Sequence, residues 1–314
     1  MNQSDSHPRF TVVIPVFNAE ATLSETIQSV FDQTDPSWEL ILVDDGSTDE
    51  SYIICDMAAA LDSRVRVIDN VGKGPADARN LGAFAGSGDF IAFLDADDIW
   101  TPDRLQRMAA GFAARPSAGC LFSRVRLIDA ESEMEVGITP HIFRLMSEDL
   151  LGEFAITTSS NLVFRRKAFT AIDGFDPDMS AAEDQDIVLR LTCLTSWTVK
   201  GLDAVLLTYR LNTASLSAQL ETMEAGWKHL IAKADCFAPL LVRSARRRAS
   251  ALFYRQHALR AVRGIKRPLA AMGCLARAFA SSPTVLLASP LRTAKACALV
   301  LTTLFYFPAQ WSHS

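Results

Sequence analysis

Short apolar runs alternate with helix-period segments along the chain up to residue 114. Four runs rich in β-branched and aromatic residues predict buried strands: FTVVI (10–14), WELILV (38–43), VRVID (65–69) and FIAFL (90–94). Between and after them, apolar residues recur every three or four positions, which predicts helices over 19–33, 48–62, 75–86 and 102–114. Ser47 or Thr48 is placed to cap the second helix. Strands that alternate with helices favour a parallel sheet covered by helices.

The pattern changes after residue 118. Further strands are predicted over 119–129, 161–166 and 197–211, and a helix with acidic residues in its first turn is predicted over 183–194. After about residue 220 the chain becomes helical and rich in alanine. We therefore expect an α/β domain over residues 1–220 and a helical tail over 221–314.

Acidic residues follow three of the predicted parallel strands. Asp44 and Asp45 come after the second strand, Asp69 ends the third, and a group of acids at 95–98 follows the fourth. In open parallel sheets, ligands bind at the carboxyl ends of the strands. The placement of these carboxylates therefore predicts a ligand site at that edge.

The sequence FIAFLDADDIW places three carboxylates, Asp95, Asp97 and Asp98, at the tip of a buried strand. Like charges at this spacing repel each other, so a cation is expected among them. Carboxylate oxygens suit Mg²⁺ or Mn²⁺, which usually complete their coordination with substrate phosphates. The alternative is a solvated acidic loop in which Asp98 or Asp103 caps the next helix. The position directly after a buried strand favours the metal site.

Several other kinds of site are disfavoured by the sequence. The first strand is followed by PVFNAEA, which lacks the glycines of a dinucleotide-binding turn, and no GxxxxGK[ST] phosphate loop is present. DGSTD at 45–49 lacks the DxD spacing of a nucleophilic-aspartate phosphatase. The six cysteines form no CxxC pair and the five histidines show no metal-ligand spacing, which argues against a zinc site or a disulfide framework.

The net charge of −5 is the sum of an acidic N-terminal part and a basic C-terminal part. From residue 225 onward there are 14 lysines and arginines and one acid, a net charge of +13, which leaves −18 for residues 1–224. Basic residues that alternate with apolar ones predict a surface for anionic lipid. The alternative is an ordinary helical tail whose charges face water. No nucleic-acid recognition motif accompanies the charge, so nucleic acid is not expected as a partner.

Three ordered segments carry a resemblance to a known family. TVVIPVFNAEATLSETIQSVFDQT, WELILVDDGSTDES and GPADARNLGAFAGSGDFIAFLDADD resemble the nucleotide-binding half of the family 2 glycosyltransferases, over about residues 10–108. NLVFRRKAFTAIDGFDPDMSAAEDQDIVLRL resembles the acceptor side of that family, which we place at 119–211. The resemblance implies the GT-A fold, a Rossmann-like α/β structure with a mostly parallel central sheet flanked by helices, here with a C-terminal helical extension.

The same resemblance implies roles for individual donor-side residues. The turn with Pro15, Phe17 and Asn18 would line the nucleotide base and ribose, with Glu20 nearby. Asp45 would accept a hydrogen bond from uracil N3–H if the donor is a uridine nucleotide. Departures from the family pattern at Lys73 and Asp77 leave the donor open.

The remaining roles concern the diphosphate, the metal and the base. Arg79 would approach the base or the diphosphate, and the alternative is an ion pair with Asp77 or Asp89. Asp95 and Asp97 would contact the ribose and a divalent metal (Mn²⁺ or Mg²⁺), with Asp97 and Asp98 both open as the direct ligand. Glu183 and Asp184 resemble the ED motif, in which the aspartate is the catalytic base. The alternative for Asp184 is a carboxylate that favours the first turn of a helix.

The activity implied by the resemblance is inverting transfer of a sugar from a nucleotide diphosphate-sugar, with a UDP-sugar favoured, to a hydroxyl on a lipid-linked or surface-polysaccharide glycan. The alternatives are a sugar-phosphate nucleotidyltransferase and an inert sugar-nucleotide-binding scaffold at a membrane. The N-terminus shows no secretion signal, so we expect a cytoplasmic protein, peripheral on the inner face of the membrane through its tail. The apolar run 296–311 is too short to span a bilayer, so it should lie in the interface or pack on the catalytic domain.

Overall fold

The computed structural model describes residues 8–72, 74–152, 156–179, 181–212, 219–263, 267–284 and 290–306. Its contacts divide the chain into two compact units. Unit 1 comprises 1–146, 155–179 and 183–210, and unit 2 comprises 147–154, 180–182 and 211–314. That residues 1–220 and 221–314 are separate domains stays a prediction.

A single mixed sheet forms the centre of unit 1. Its strands, in the order of the chain, are β1 (Phe10–Val16), β2 (Trp38–Asp44), β3 (Val65–Asp69), β4 (Phe90–Phe93), β5 (Ile99–Trp100), β6 (Ala118–Asp129), β7 (Glu135–Ile138), β8 (Arg144–Leu145), β9 (Val163–Arg165) and β10 (Thr198–Leu211). The main path across the sheet is β3-β2-β1-β4-β9-β6-β10-β5. The first four strands are parallel, as their alternation with helices predicts, and β9 pairs antiparallel with β4 and β6. The carboxyl ends of β1, β2 and β4 therefore meet at one edge.

Helices cover this sheet at nearly the predicted positions. The helices of unit 1 are α1 (Leu23–Phe31), α2 (Ser51–Leu61), α3 (Pro75–Ala85), α4 (Arg104–Ala113), α6 (Arg166–Thr170) and α7 (Glu183–Leu194). The predicted cap of α2 is wrong. The helix begins later, after Glu50, which makes no side-chain cap. Ser47 and Thr48 instead bond to Asn18 of the turn after β1, because that turn lies close enough to use them.

Helix α3 lies unusually close to the sheet because residue 82 is glycine. A Cβ atom there would lie 2.4 Å from Val13 Cγ1 of β1 and 3.0 Å from Val43 Cγ2 of β2. Real Cβ atoms do not approach other atoms that closely, so only glycine allows this packing. The close approach fixes the depth of Arg79, one helical turn earlier in α3.

Unit 2 is helical. Its helices are α5 (Ser147–Leu150), α8 (Leu220–Phe237), α9 (Pro239–Arg263), α10 (Pro268–Ser281) and α11 (Pro290–Tyr306). The indole of Trp227 stacks on Phe253 at 4.4 Å, and its N–H donates to the Leu151 carbonyl. The Glu224 carboxylate joins three helices by accepting from Tyr254 and Arg277.

Among the described helices, none combines the length and the hydropathy that crossing a bilayer requires. The apolar run 296–311 begins within α11, and its residues from 307 onward lie outside the described part of the chain. Its predicted place at an interface or on the catalytic domain stays a prediction.

Gly82→Ala should reduce stability although alanine is the better helix former. The added methyl group would overlap Val13, and such overpacking costs about 1–3 kcal/mol. Gly273→Ala in α10 is a matched control, because its Cβ meets no atom within 4 Å. The control should gain about 0.5–1 kcal/mol from helix propensity. Urea unfolding of both variants measures the difference, and equal stabilisation would contradict the close packing of α3.

Candidate active site

The turn after β1 is held against the loop after β2 by its own polar side chains. Asn18, in a left-handed conformation (φ 48°), accepts a hydrogen bond from the Thr48 amide at 2.8 Å. The Glu20 carboxylate accepts from the Glu50 amide at 3.0 Å. Phe17 directly follows β1, the strand that contains Pro15, and is 59% exposed. Asn18 and Glu20 thus shape the turn, and Phe17 presents an open aromatic face.

The two acids at the end of β2 have different environments. Asp44 is buried and accepts from the amides of Gly46 and Ser47, each at 3.1 Å, which closes the turn after the strand. Asp45 is only partly buried and accepts from Asn70 Nδ2 at 2.6 Å and from the Gly74 amide at 2.9 Å. A carboxylate has about four acceptor positions, so Asp45 keeps capacity for a ligand donor. Sequence reasoning missed Asn70, which directly follows β3.

The Arg79 guanidinium joins the donor-side loop to helix α7. It is 5% exposed, with Nη2 at 2.7 Å from Asp95 Oδ1 and Nη1 at 3.2 Å from Glu183 Oε1. Burial works against its charge, but Asp95 and Glu183 outweigh that cost and raise its pKa. Residues 104 positions apart are thereby held in one site. Sequence reasoning considered Asp77 and Asp89 as partners and did not consider these two.

Asp95 is fixed by three contacts. Besides Arg79, it accepts from the Thr158 hydroxyl at 3.0 Å, and its amide donates to Ser160 Oγ at 2.9 Å. Burial opposes its ionisation, but the Arg79 charge and these hydrogen bonds lower its pKa. Sequence reasoning missed Thr158 and Ser160. The signal available was the polar run TTSSN immediately before an apolar strand.

Asp98 is enclosed by the protein, unlike Asp95 and Asp97. It is fully buried, and burial together with the charges of Asp97 and Asp95 raises its pKa well above the usual value. Arg104 of α4, also fully buried, is the cation whose charge interacts with it. Of the two predicted caps of α4, Asp103 occupies the N-cap position but makes no side-chain capping hydrogen bond, and Asp98 is not the cap residue.

Asp97, like Asp95, is partly exposed, whereas Asp98 is fully buried. Burial and the neighbouring charge of Asp95 raise its pKa to about 6. No lysine, arginine or histidine nitrogen lies within 4.0 Å of its carboxylate in the described part of the chain, so it is suited to receive an added cation. No group of three or more His, Cys, Asp or Glu residues that could hold a metal occurs among the described residues. A cation at Asp97 therefore fits the residues present only if the substrate supplies further oxygen ligands.

Arg210, at the end of β10, holds the loop that carries Asp97. Its Nη1 donates to the Asp97 carbonyl at 2.7 Å, and its Nη2 pairs with Glu25 of α1. The Arg210 charge partly offsets the raised pKa of Asp97. Sequence reasoning missed this residue, because only the sheet brings β10 beside residues 95–100.

Asp184 lies in the first turn of α7, beside Glu183. Its Oδ1 accepts a hydrogen bond from the Gln185 amide at 2.8 Å. Asp184 therefore also bonds to the first turn of the helix, which is the alternative role considered from the sequence. Burial and the Glu183 charge raise its pKa to about 8, although Arg79 works in the opposite direction. Asp186, two residues further along α7, is fully buried and pairs with Arg190 at 2.7 Å. Asp184 is thus a half-buried carboxyl whose proton affinity suits a general base near neutral pH.

Sequence comparison identifies the family. The model of glycosyl transferase family 2 matches residues 11–172. UDP-Glc:alpha-D-GlcNAc-diphosphoundecaprenol beta-1,3-glucosyltransferase WfgD of Escherichia coli is 34% identical over 132 residues, which are 41% of this chain and 51% of WfgD. The chain spans about half the length, or less, of the curated relatives it matches. The predicted resemblance to family 2 is confirmed.

Comparison of folds identifies similar solved structures. Mannosyltransferase PcManGT from Pyrobaculum calidifontis, in complex with GDP-Man and Mn²⁺, has a TM-score of 0.60 at 18% identity, over 96% of this chain and 87% of PcManGT. S. aureus TarS 1-349 in complex with UDP has a TM-score of 0.55 at 19% identity, over 88% of this chain and 90% of that chain. These likenesses confirm the predicted GT-A fold with a central sheet and flanking helices.

Thr158→Val should destabilise the fold because it removes the hydroxyl that bonds Asp95. A hydrogen bond to a charged group contributes about 1.5–3 kcal/mol. Thr158→Ser keeps the hydroxyl and should lose much less. Urea unfolding at neutral pH compares the two, and a loss in Thr158→Ser without a loss in Thr158→Val would show that the methyl group, not the hydroxyl, stabilises this loop.

Proposed function

Because the chain belongs to glycosyl transferase family 2, we propose that it transfers a sugar from a nucleotide diphosphate-sugar to a hydroxyl acceptor, with inversion at the anomeric carbon. The observation that carries the proposal is the Arg79 bridge, which connects Asp95 of the donor side to Glu183, the neighbour of Asp184. Such a bridge sets the position of a base relative to a donor, as a single displacement requires.

The donor would lie across the carboxyl ends of β1, β2 and β4. The exposed Phe17 ring offers a stacking surface for a base, and Asp45 offers an acceptor for a base N–H. We favour a uridine nucleotide, because WfgD is named for UDP-Glc and TarS binds UDP. PcManGT, which binds GDP-Man, keeps guanosine as the second candidate.

A divalent cation, Mn²⁺ or Mg²⁺, would be held by Asp97 together with diphosphate oxygens, with Asp95 beside it. Bound there, it would offset the negative charge that develops on the departing diphosphate. Asp97 is preferred over Asp98 as the ligand, because Asp98 has no exposed surface. PcManGT, a neighbour in fold, is solved with Mn²⁺.

Asp184 would act as the base. Its carboxylate takes the proton of the acceptor hydroxyl as the oxygen attacks the anomeric carbon, and the bond to the diphosphate breaks on the opposite face. One such displacement inverts the configuration. Asp95, kept ionised by Arg79, adds negative charge near a carbon that becomes cation-like in the transition state.

The acceptor that we propose is a glycan of a bacterial polysaccharide, carried on a lipid. The support comes from relatives, since WfgD is named for a diphosphoundecaprenol-linked GlcNAc and TuaG of Bacillus subtilis, 37% identical over 117 residues, for teichuronic acid biosynthesis. A lipid-linked acceptor would bring the chain to a membrane surface. The exposed arginines 243 and 247 of α9 are candidates for that contact by unit 2.

Calorimetric titration with UDP, GDP and dTDP, each with and without Mn²⁺, tests the donor and the metal. We expect UDP to bind with Mn²⁺ and to lose at least about tenfold in affinity without it, since phosphates and Asp97 would share the cation. Asp97→Asn should remove the Mn²⁺ dependence, whereas the partly exposed control Asp103→Asn should retain it. Binding of UDP that is equally tight without metal would contradict the cation site at Asp97.

Asp184→Asn should reduce kcat by about 10²–10⁴-fold and leave donor binding unchanged, because only the proton acceptor is lost. The raised pKa of Asp184 gives the direction of the pH dependence. Below its pKa of about 8 the carboxyl holds its proton and cannot accept another, so kcat/KM should fall as the pH decreases below about 8. Turnover unchanged in Asp184→Asn would sink the assignment of the base and favour an inert scaffold.

A further inference from the structure

Three cationic residues of unit 1 are grouped with one exposed aromatic residue, and none of the four belongs to the candidate active site. Lys200 of β10 and Arg144 of β8 are direct cross-strand neighbours in the antiparallel register. The ring of Phe143 has Lys200 Nζ 4.8 Å from its centroid and the Arg115 guanidinium 6.0 Å away. We call these four residues the cationic patch.

The charges of the patch are not neutralised by the protein. Among the described residues, no carboxylate oxygen lies within 4.0 Å of the cationic nitrogens of Arg115, Arg144 or Lys200. Neighbouring arginines differ in this respect, since Arg107 pairs with Asp103 and Arg124 with Asp203. Like charges on directly opposed strand positions are destabilising. An external anion would relieve that repulsion.

The electrostatics of Lys200 agree with this geometry. Partial burial lowers its pKa, and the charges of Arg144 and Arg115 lower it further. Its ammonium group therefore lies in a positive potential that the chain does not balance.

The aromatic ring indicates what kind of anion fits. Phe143 is 57% exposed although it is fully apolar, and it projects among cations that have long aliphatic stems. A bilayer interface offers anionic phosphates above an apolar layer, so it matches cations around a projecting ring. The open cavity of about 300 Å³ beside Arg115 is lined also by Asp203, whose carboxylate disfavours a small soluble anion there.

We propose that the cationic patch docks the protein on an anionic phospholipid surface, with Arg115, Arg144 and Lys200 on lipid phosphates and Phe143 in the interface. The contact is made by residues of unit 1, and none of them belongs to the basic helices of unit 2. It does not depend on the donor or the acceptor of the proposed reaction.

Cosedimentation of the full chain with phosphatidylcholine vesicles, with and without phosphatidylglycerol, tests the proposal. We expect binding only to the anionic vesicles. Each basic residue near an anionic surface contributes roughly fivefold in partitioning, so Arg144→Gln/Lys200→Gln should bind roughly 25-fold more weakly. Arg126→Gln/Lys167→Gln removes the same charge from exposed positions outside the patch and should bind almost as the parent does. Equal losses in the two double variants would overturn the proposal.

Phe143→Ala and Phe143→Leu separate the ring from the charges. Alanine should weaken vesicle binding several-fold, and leucine should retain most of it, because leucine keeps apolar area at the interface. Vesicle binding that neither substitution changes would contradict the proposed contact of the Phe143 ring with the lipid interface.

Three further measurements make the outcome decisive. The melting temperature of Arg144→Gln/Lys200→Gln should stay constant or rise, since repulsion is removed, and a clear drop would show a structural role instead. Stabilisation by inorganic phosphate that requires the patch, without vesicle binding, would replace the lipid surface by a soluble phosphate ligand. Loss of vesicle binding in Arg243→Gln/Arg247→Gln, with full binding by the patch variant, would place the membrane contact on unit 2 and refute the proposal.

Discussion

The buried guanidinium of Arg79 is the interaction on which the site depends. It is nearly excluded from water, and two carboxylates from distant parts of the chain contact it and stabilise its charge. A buried arginine without a partner would be strongly unfavourable, and a buried pair is strongly destabilised when one member is removed. Arg79, Asp95 and Glu183 therefore require one another, and this requirement brings the loop that carries Asp95 and the first turn of α7 into a single site. The glycine at position 82 makes the bridge possible, because it lets α3, which carries Arg79, approach the sheet.

The acids of FLDADD have different properties because one strand end gives each a different environment. Asp95 is ionised by Arg79, Asp97 is partly exposed with its pKa raised to about 6, and Asp98 is buried beside Arg104. A charge cluster that looks uniform in the sequence is therefore a set of three groups with separate chemical capacities. Of the three, only Asp97 combines access to solvent with a negative charge that no ion pair within the described residues compensates. A cation that is shared with a diphosphate requires this combination.

Polar residues outside the recognised motifs hold this arrangement. Thr158 and Ser160 fix Asp95, Asn70 and the Gly74 amide fix Asp45, and Arg210 fixes the loop around Asp97. Each of these contacts is a hydrogen bond to a charged or backbone group, which is short in range and demanding in direction. The motifs carry the reactive groups, and these neighbours limit where the groups can point.

The sequence by itself determined the elements and the kind of site. Apolar periodicity located the four parallel strands and their helices, because burial on one face imposes a period that the chain must show. Acids after β2 and β4 indicated the edge of the sheet that carries the candidate site, and the helix at 183–194 was predicted with the observed bounds. Tertiary structure alone decided which acid faces solvent, that Arg79 pairs with Asp95 and Glu183, and that Ser47 and Thr48 serve the turn at Asn18 instead of capping α2. The physical reason is range: periodicity reports the burial of each segment, whereas ion pairs, pKa shifts and directed hydrogen bonds depend on groups that only the packed sheet brings within a few ångströms.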